Sequence, residues 1–206
     1  MEKIKVYIDA DDTILDSSVA IIDILNKKNN TNKTIHDLRD WNYRDIDGTM
    51  NGDKILELYE SEEFFNTVKI KENVKDYLKE IIEKISVFIV SKGTQKNLNK
   101  KEEFFEKELG IPFNFKGLVF TEGQDFNKSS VDMRNGIQID DRMDCLRHTN
   151  AAVKILLRNN ANYSWNIPDV NMENLYVVNS WEEIQEIINF ALENTDMFFE
   201  ELKGEK

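Results

Sequence analysis

The stretch VYIDADDTILD, residues 6–16, places four carboxylates directly after a short hydrophobic run. They belong to Asp9, Asp11, Asp12 and Asp16. The run IKVYI (4–8) is rich in β-branched residues and predicts a short buried strand. Carboxylates this close repel one another, so the fold has to bring a positive charge to the end of that strand.

Composition and charge restrict the classes of protein that fit. With 206 residues, 40% hydrophobic and 32% charged, the chain predicts a soluble globular protein with one sizeable core, or a core with a smaller insertion. The net charge of −12 repels a phosphate backbone, so we expect no nucleic-acid polymer as a partner. A small phosphorylated ligand still fits, because a local cation or metal can override the global field.

Cysteine, histidine and apolar content exclude further classes. Cys145 is the only cysteine, which rules out an intrachain disulfide and a cysteine zinc site, and two histidines are too few for most histidine metal centres. No window offers the ~20 apolar residues of a membrane span. The N-terminal apolar run is broken by Lys3, Lys5 and Asp9, unlike a signal peptide. We therefore expect a cytoplasmic protein with no membrane partner.

Short hydrophobic runs alternate with helical patterns along the chain. The six predicted strands are 4–8, 86–90, 117–120, 136–139, 153–157 and 175–178. The predicted helices outside the segment 17–70 are 73–85, 99–110 and 180–194, the last with Ser180 and Glu183 at capping-box spacing. Apolar strands that alternate with helices predict an α/β fold with a doubly wound parallel sheet.

The segment 17–70 departs from that alternation, since it is far longer than one crossover helix requires. Its pieces SSVAIIDILNKKNN, TIHDLRDWNYRDI and DKILELYESEEFF indicate two or three short helices joined by polar turns. We therefore predict a core domain of residues 1–16 and 71–206. Residues 17–70 would form a small α-helical cap inserted after the first strand.

The predicted strand ends carry the polar groups that could form a site, because ligands bind open α/β sheets at the carboxyl ends of the strands. These groups are Asp9, Asp11 and Thr13, then Ser91 and Lys92, then Asp140 and Asp141, with Lys128 in the loop before the fourth strand. Mg²⁺ prefers oxygen ligands, so one ion could hold such acids together, and an aspartate can attack phosphorus. The pattern indicates metal-assisted phosphoryl transfer.

These residues resemble the motifs of a known family. DADDT (9–13) is similar to the DxDx(T/V) motif of haloacid-dehalogenase-like (HAD) phosphatases. Ser91, Lys128 and IDDRMD (139–144) match the second, third and fourth motifs in the same order. The layout over about residues 4–190 further resembles the cytosolic 5'(3')-deoxyribonucleotidase branch. The resemblance implies a Rossmann-like core with a helical cap, and a Mg²⁺-dependent phosphomonoesterase acting on 5'- or 3'-(deoxy)ribonucleoside monophosphates.

The resemblance also implies a role for each matching residue. Asp9 would be the nucleophile that forms an aspartyl-phosphate, and Asp11 would be the general acid and then the base on water. The proposed magnesium ligands are Asp9, Asp11 through its backbone carbonyl, and Asp141, with Asp140 as the alternative acid. The phosphate would be bound by Thr13, Ser91 and Lys128.

Other assignments stay open within the same site. Lys92 and Lys101 compete with Lys128 for the cationic role, and Lys101 is expected on a solvated helix face. In the insertion, Trp41 or Tyr43 could stack on a nucleobase. The alternative is that these aromatic residues form a small core of the insertion itself.

Rival functions fit parts of the pattern. A phosphatase of the same chemistry could act on another small ester, such as a sugar phosphate. A receiver-like signalling module also accepts a phosphoryl group on clustered acids. It would leave the acceptor on the first strand and the long insertion unexplained. An inactive homologue is disfavoured by the intact set of acids, and the sequence leaves a homodimer open.

Overall fold

The computed structural model describes residues 3–120, 127–158 and 163–194. The strands in these ranges are β1 (Ile4–Ile8), β2 (Ile85–Gly93), β3 (Asn114–Val119), β4 (Gly136–Asp140), β5 (Val153–Leu157) and β6 (Leu175–Val178). The helices are α1 (Ser17–Asn29), α2 (Gly52–Tyr59), α3 (Glu62–Thr67), α4 (Val74–Ile81), α5 (Gln95–Leu109), α6 (Met143–Arg147) and α7 (Trp181–Glu193). Each of the six predicted strands and each of the three helices predicted outside residues 17–70 is found. The bounds of β1, β5 and β6 are as predicted, and those of the other elements differ by up to four residues.

The six strands form one parallel sheet in the order β3-β2-β1-β4-β5-β6. β1 lies at the centre, where Val6 pairs in register with Val87 on one side and Ile137 on the other. The order of the strands reverses between β1 and β4, and ligands of open α/β sheets bind at such a switch point. The predicted doubly wound parallel fold is therefore confirmed.

Alternate strand residues face opposite sides of the sheet. On one face, Ile4, Val6 and Ile8 belong to the main hydrophobic core, together with buried residues of α1, α4, α5 and α7. On the other face, Tyr7 packs with Val131 from the loop before β4, and α6 covers part of β5 through a third small cluster. Because both faces are covered, the central strands are buried along nearly their whole length, as their apolar sequences predict.

The inserted segment contains three helices, α1 to α3, where two or three were predicted. The stretch TIHDLRDWNYRDI (34–46) forms turns instead of a helix. Its polar residues bond their own backbone, as when the Asp45 carboxylate accepts from the backbone N–H groups of Arg39 and Asp40. Such short-range bonds compete with helix formation, which explains the turns.

The two ends of the insertion run side by side. The Asp16 N–H donates to the Lys69 carbonyl at 2.9 Å, and the Lys71 N–H donates to the Ile14 carbonyl at 2.8 Å. The insertion does not form a separate core, because its buried Ile21 and Ile55 belong to the same hydrophobic cluster as β1. The chain therefore leaves and re-enters the sheet layer at one place, directly beside the end of β1.

Helix ends follow the expected capping rules. α5 begins four residues before its predicted start, because the Thr94 side chain accepts from the Asn97 N–H. It ends at Gly110, whose φ of 64° is the left-handed conformation that glycine favours. Ser180 caps α7 by accepting from the Glu183 N–H. No helix within the described ranges has both the length and the apolar content that crossing a membrane requires.

Candidate active site

The acids of β1 and β4 meet at the carboxyl edge of the sheet. Asp9 follows β1, and its N–H donates to the Ile139 carbonyl at 2.9 Å, which fixes the end of β1 against β4. Asp140 ends β4 and Asp141 follows it. Carboxylate oxygens of Asp9, Asp140 and Asp141 lie within 4.8 Å of one another, and all three residues are buried. Adjacent parallel strands thus bring together acids that are far apart in sequence.

Lys128 lies among these acids. Its side chain is 3% exposed, and its ammonium group contacts the Asp9 carboxylate and lies 2.7 Å from Oδ2 of Asp140. Burial alone would lower the pKa of Lys128, but the negative charges of Asp140 and Asp9 raise it overall. Lys128 therefore stays charged at physiological pH and places its positive charge between Asp9 and Asp140.

The two adjacent acids of β4 have different surroundings. Asp140 is fully buried, and its carboxylate accepts hydrogen bonds from Lys128, from Gln138 and from the backbone N–H of Arg142. Asp141 lines the pocket, and its Oδ2 accepts from the indole N–H of Trp165 at 2.7 Å. Asp140 therefore holds Lys128 in place, while Asp141 faces the open space.

Burial governs the protonation of the acids. It raises the pKa of Asp9 to about 7, although the nearby charge of Lys128 acts to lower it. Burial, with the charges of Asp12 and Asp9, also raises the pKa of Asp141 well above its ordinary value. The ionised forms of these two carboxylates need additional positive charge to be stable.

The donor set fits a divalent cation. Asp9, Asp140 and Asp141 together with Lys128 carry a net charge of −2 when all are ionised. A divalent ion would balance that charge, and hard ions such as Mg²⁺ take carboxylate oxygens. The raised carboxylate pKa values therefore agree with a site built for a metal.

Asp11 is held by two side chains outside this cluster. The Ser17 hydroxyl donates to Oδ1 of Asp11 at 2.8 Å, and the ammonium group of Lys101 contacts the other oxygen. The same ammonium lies 3.0 Å from the Ser91 hydroxyl. Ser91 is fully buried, so it reaches the site through Lys101. Asp11, Ser91 and Lys101 thus form a second polar group beside the first.

The expectation that Lys101 is solvated is wrong, because its side chain is only 1% exposed. Its buried apolar neighbours on α5 are Leu98, Phe105 and Leu109. The spacing of 3, 4 and 4 places Lys101 on the apolar stripe of the helix. The helical spacing in the sequence thus indicates that Lys101 is buried, and a buried lysine needs an acidic partner.

The other predicted site residues are placed as follows. Lys92 lines the pocket, and its ammonium lies 3.3 Å from the Asn127 carbonyl and 5.9 Å from the centre of the Phe120 ring. Thr13 is fully buried, and its hydroxyl has no hydrogen-bond partner in the described part of the chain. Thr13 is therefore adjacent to the acids in sequence but does not line the pocket.

The insertion supplies the upper wall of the pocket. The lining residues that it contributes are Trp41, Tyr43, Ile55, Leu56 and Tyr59. Trp41 is partly exposed, whereas Tyr43 is 2% exposed and its hydroxyl lies 2.9 Å from that of Ser18. Of the two predicted aromatic contacts, Trp41 has the more accessible ring.

Trp165 and Asn166 were not singled out from the sequence. Besides the indole bond to Asp141, the side-chain amide of Asn166 donates to the Asp141 carbonyl and, at 2.9 Å, to the Leu157 carbonyl. These two residues lie more than 20 positions after Asp141, and no sequence-spacing rule connects them to it. The structure was therefore needed to find these contacts.

Solved structures share the fold. A haloacid-dehalogenase-like hydrolase, SP0104 from Streptococcus pneumoniae, has a TM-score of 0.59 and 14% identity, covering 90% of this chain and 98% of that one. A predicted phosphatase from Clostridium acetobutylicum has a TM-score of 0.60 and 14% identity, covering 91% and 99%. YfnB from Bacillus subtilis, described as a HAD hydrolase bound to magnesium, has a TM-score of 0.54 and 15% identity, covering 92% and 100%.

Sequence comparison assigns the family more narrowly. No curated protein matches the chain significantly. The family model described as "5' nucleotidase, deoxy (Pyrimidine), cytosolic type C protein" matches residues 2–194. Because that match spans nearly the whole chain and the fold is that of HAD hydrolases, the protein belongs to the cytosolic type C 5' deoxynucleotidase family of HAD-like hydrolases.

Proposed function

We propose that the protein is a Mg²⁺-dependent phosphomonoesterase that removes phosphate from 5'- or 3'-nucleoside monophosphates, deoxyribonucleotides above all. The single observation that carries the proposal is the group of Asp9, Asp141 and Lys128 at the floor of a pocket whose upper wall is the insertion. The description of the matching family supports the nucleotide substrate.

The metal would be held by Asp9, Asp141 and the backbone carbonyl of Asp11. When bound, it supplies positive charge that keeps the carboxylates ionised and lets an anionic phosphate approach. Asp141 is preferred to Asp140 as the direct ligand, because the Asp140 carboxylate is already occupied by Lys128, Gln138 and the Arg142 N–H.

The reaction would proceed in two displacements at phosphorus. A carboxylate oxygen of Asp9 attacks phosphorus, and the bond between phosphorus and the nucleoside oxygen breaks while Asp11 gives that oxygen a proton. Water then attacks the phosphorus of the aspartyl-phosphate and gives a proton back to Asp11, which frees phosphate and Asp9. Lys128 neutralises the charge on Asp9 and on the transferred group.

Lys101 adds a second cation to the phosphate site. Its ammonium lies between Asp11 and Ser91, so it would share its contacts with a phosphoryl oxygen once substrate is bound. Ser91, assigned by its motif to phosphate binding, would then act together with Lys101. Lys92, at the pocket wall, would attract the anion as it enters.

Specificity would come from the insertion, which we propose to be the cap of residues 17–70. Trp41 would stack on the base, whereas the ring of Tyr43 packs in the hydrophobic core. A cytosolic location is proposed with the function, in line with the family's description.

A panel of phosphate esters assayed with and without Mg²⁺ tests the proposal. We expect hydrolysis only with the metal, and the highest kcat/KM for deoxyribonucleoside monophosphates. Sugar phosphates hydrolysed equally well would defeat the nucleotide assignment and favour the wider phosphatase reading. A stable phosphoprotein without turnover would favour the receiver-like alternative.

A further inference from the structure

The pocket wall beside Asp141 includes a segment that lies beyond the four short motifs. Residues 163–166 lie against Asp141 through two consecutive side chains. The indole N–H of Trp165 donates to Oδ2 of Asp141 at 2.7 Å, and Asn166 donates to its backbone carbonyl. Both the side chain and the backbone of Asp141 are therefore fixed by this segment.

Trp165 itself is held firmly. Its ring stacks on Tyr163 with centroids 4.4 Å apart and an angle of 16° between planes. Its backbone carbonyl accepts from the Met143 N–H at 3.0 Å, at the start of α6. The guanidinium carbon of Arg142 lies 5.8 Å from the ring centre. A donor fixed on all these sides can orient the carboxylate that it contacts.

The hydrogen bond sets which oxygen of Asp141 is available. Oδ2 is occupied by the indole, and no hydrogen bond to Oδ1 is found within the described residues. The indole bond therefore restricts the orientation of the carboxylate and leaves Oδ1 as the oxygen that a cation can take.

We propose that Trp165 is a positioning residue that orients Asp141 for a divalent cation and that its indole reports binding of the cation. The inference rests on the proposed function only in taking Asp141 as a metal ligand. It needs no statement about the substrate. Removal of a hydrogen-bond partner of a metal ligand typically lowers metal affinity about 10–100-fold.

The chain offers a matched control. Trp181 is buried whereas Trp165 is partly buried, and the indole N–H of Trp181 also donates at 2.7 Å, but to the Thr13 carbonyl. Trp165→Phe and Trp181→Phe therefore remove the same donor and keep an aromatic ring. Only the first removes a bond to a proposed metal ligand.

Mg²⁺ affinity of the metal-stripped full-length protein tests the inference, measured by calorimetric titration and by the shift in Tm. We expect Trp165→Phe to weaken Mg²⁺ binding about 10–100-fold and Trp181→Phe to weaken it less than about threefold. Equal affinity in wild type and Trp165→Phe, or equal losses in the two variants, would overturn the inference. A wild type that binds no Mg²⁺ would defeat both this inference and the proposed function.

A second readout covers the case in which Trp165→Phe does not fold. The chain has three tryptophans, so the double variant Trp41→Phe/Trp181→Phe leaves Trp165 as the only one. We expect saturating Mg²⁺ to change the tryptophan fluorescence emission of this variant. A cation bound to the Asp141 carboxylate would change the electric field at the indole that donates to it. Unchanged emission, with Mg²⁺ binding verified by calorimetry, would overturn the inference.

Discussion

The sheet edge and the insertion line the same pocket with different chemistry. At the sheet edge, buried charges face one another, and Asp9, Asp140 and Lys128 are nearly inaccessible to solvent. In the insertion, neutral hydroxyl groups bond in series, as between Ser18, Tyr43 and Tyr59. Buried charges are costly unless they are used or paired, whereas neutral hydrogen bonds stabilise without strong fields. We therefore propose that the chemical step takes place at the sheet edge and that the insertion selects the substrate.

The largest effect is expected from Asp9→Asn, which removes the proposed nucleophile. We expect kcat to fall at least about 10⁴-fold, because an amide oxygen cannot form the acyl-phosphate. Asp16→Asn is the control, since Asp16 is an acid of the same stretch that pairs with Lys71. It should change kcat by less than about threefold. Comparable losses of kcat in the two variants would show that Asp9 has no special role compared with Asp16.

Asp141→Asn tests whether Asp141 binds the metal at the sheet edge. Mg²⁺ at 100 times its dissociation constant stabilises a folded protein by about 2.7 kcal/mol. We expect wild type to show a rise in Tm with Mg²⁺ and Asp141→Asn to lose most of it. Asp144→Asn, whose acid pairs with Arg142, should keep the rise. A full rise in Asp141→Asn would place the metal elsewhere.

Lys101→Met tests the role of the buried lysine on α5. This variant leaves Asp11 and Ser91 without their shared cation, so we expect kcat/KM to fall about 10–100-fold. Lys100→Met is matched, because Lys100 is the neighbouring residue and pairs with Glu62 on the insertion. It should have little effect, since exposed pairs contribute little. Wild-type kinetics in a folded Lys101→Met would exclude Lys101 from the site.

The sequence predicted the core and its acids far better than it predicted Lys101 or the turns of the insertion. Runs such as IKVYI have few alternatives to a buried strand, and adjacent parallel strands then bring Asp9 and Asp141 together. Lys101 was assigned to a solvated face because charge outweighed its place on the apolar stripe. The turns of residues 34–46 depend on bonds to particular partners, and periodicity does not encode such bonds.

Trp41→Ala tests the selecting role of the insertion. Loss of one base-stacking contact costs about 1–3 kcal/mol, so we expect KM for a deoxyribonucleotide to rise about tenfold. The kcat/KM for p-nitrophenyl phosphate, which has no base, should stay near the wild-type value. Equal losses for both substrates would show that Trp41 supports the fold of the pocket and does not select the substrate.

The smallest effect is expected from Tyr43→Phe, which removes a hydroxyl from the series in the insertion. We expect the free energy of unfolding to fall by about 1 kcal/mol with kcat unchanged. Tyr77→Phe is the comparison, because its hydroxyl bonds Gln185 and Asn189 away from the pocket. Denaturant unfolding and steady-state kinetics measure both. A tenfold rise in KM for Tyr43→Phe alone would mean that the hydroxyl contacts substrate.

The central claim is that Asp9 carries the phosphoryl group during turnover. Acid quenching of wild type in the presence of Mg²⁺ and a deoxyribonucleoside monophosphate, followed by peptide mass spectrometry, tests it most directly. The account predicts one phosphoryl group on Asp9 that forms and decays within the single-turnover time. Phosphate release with Asp9 unmodified at every time point, or a phosphoryl group on another residue, would contradict it.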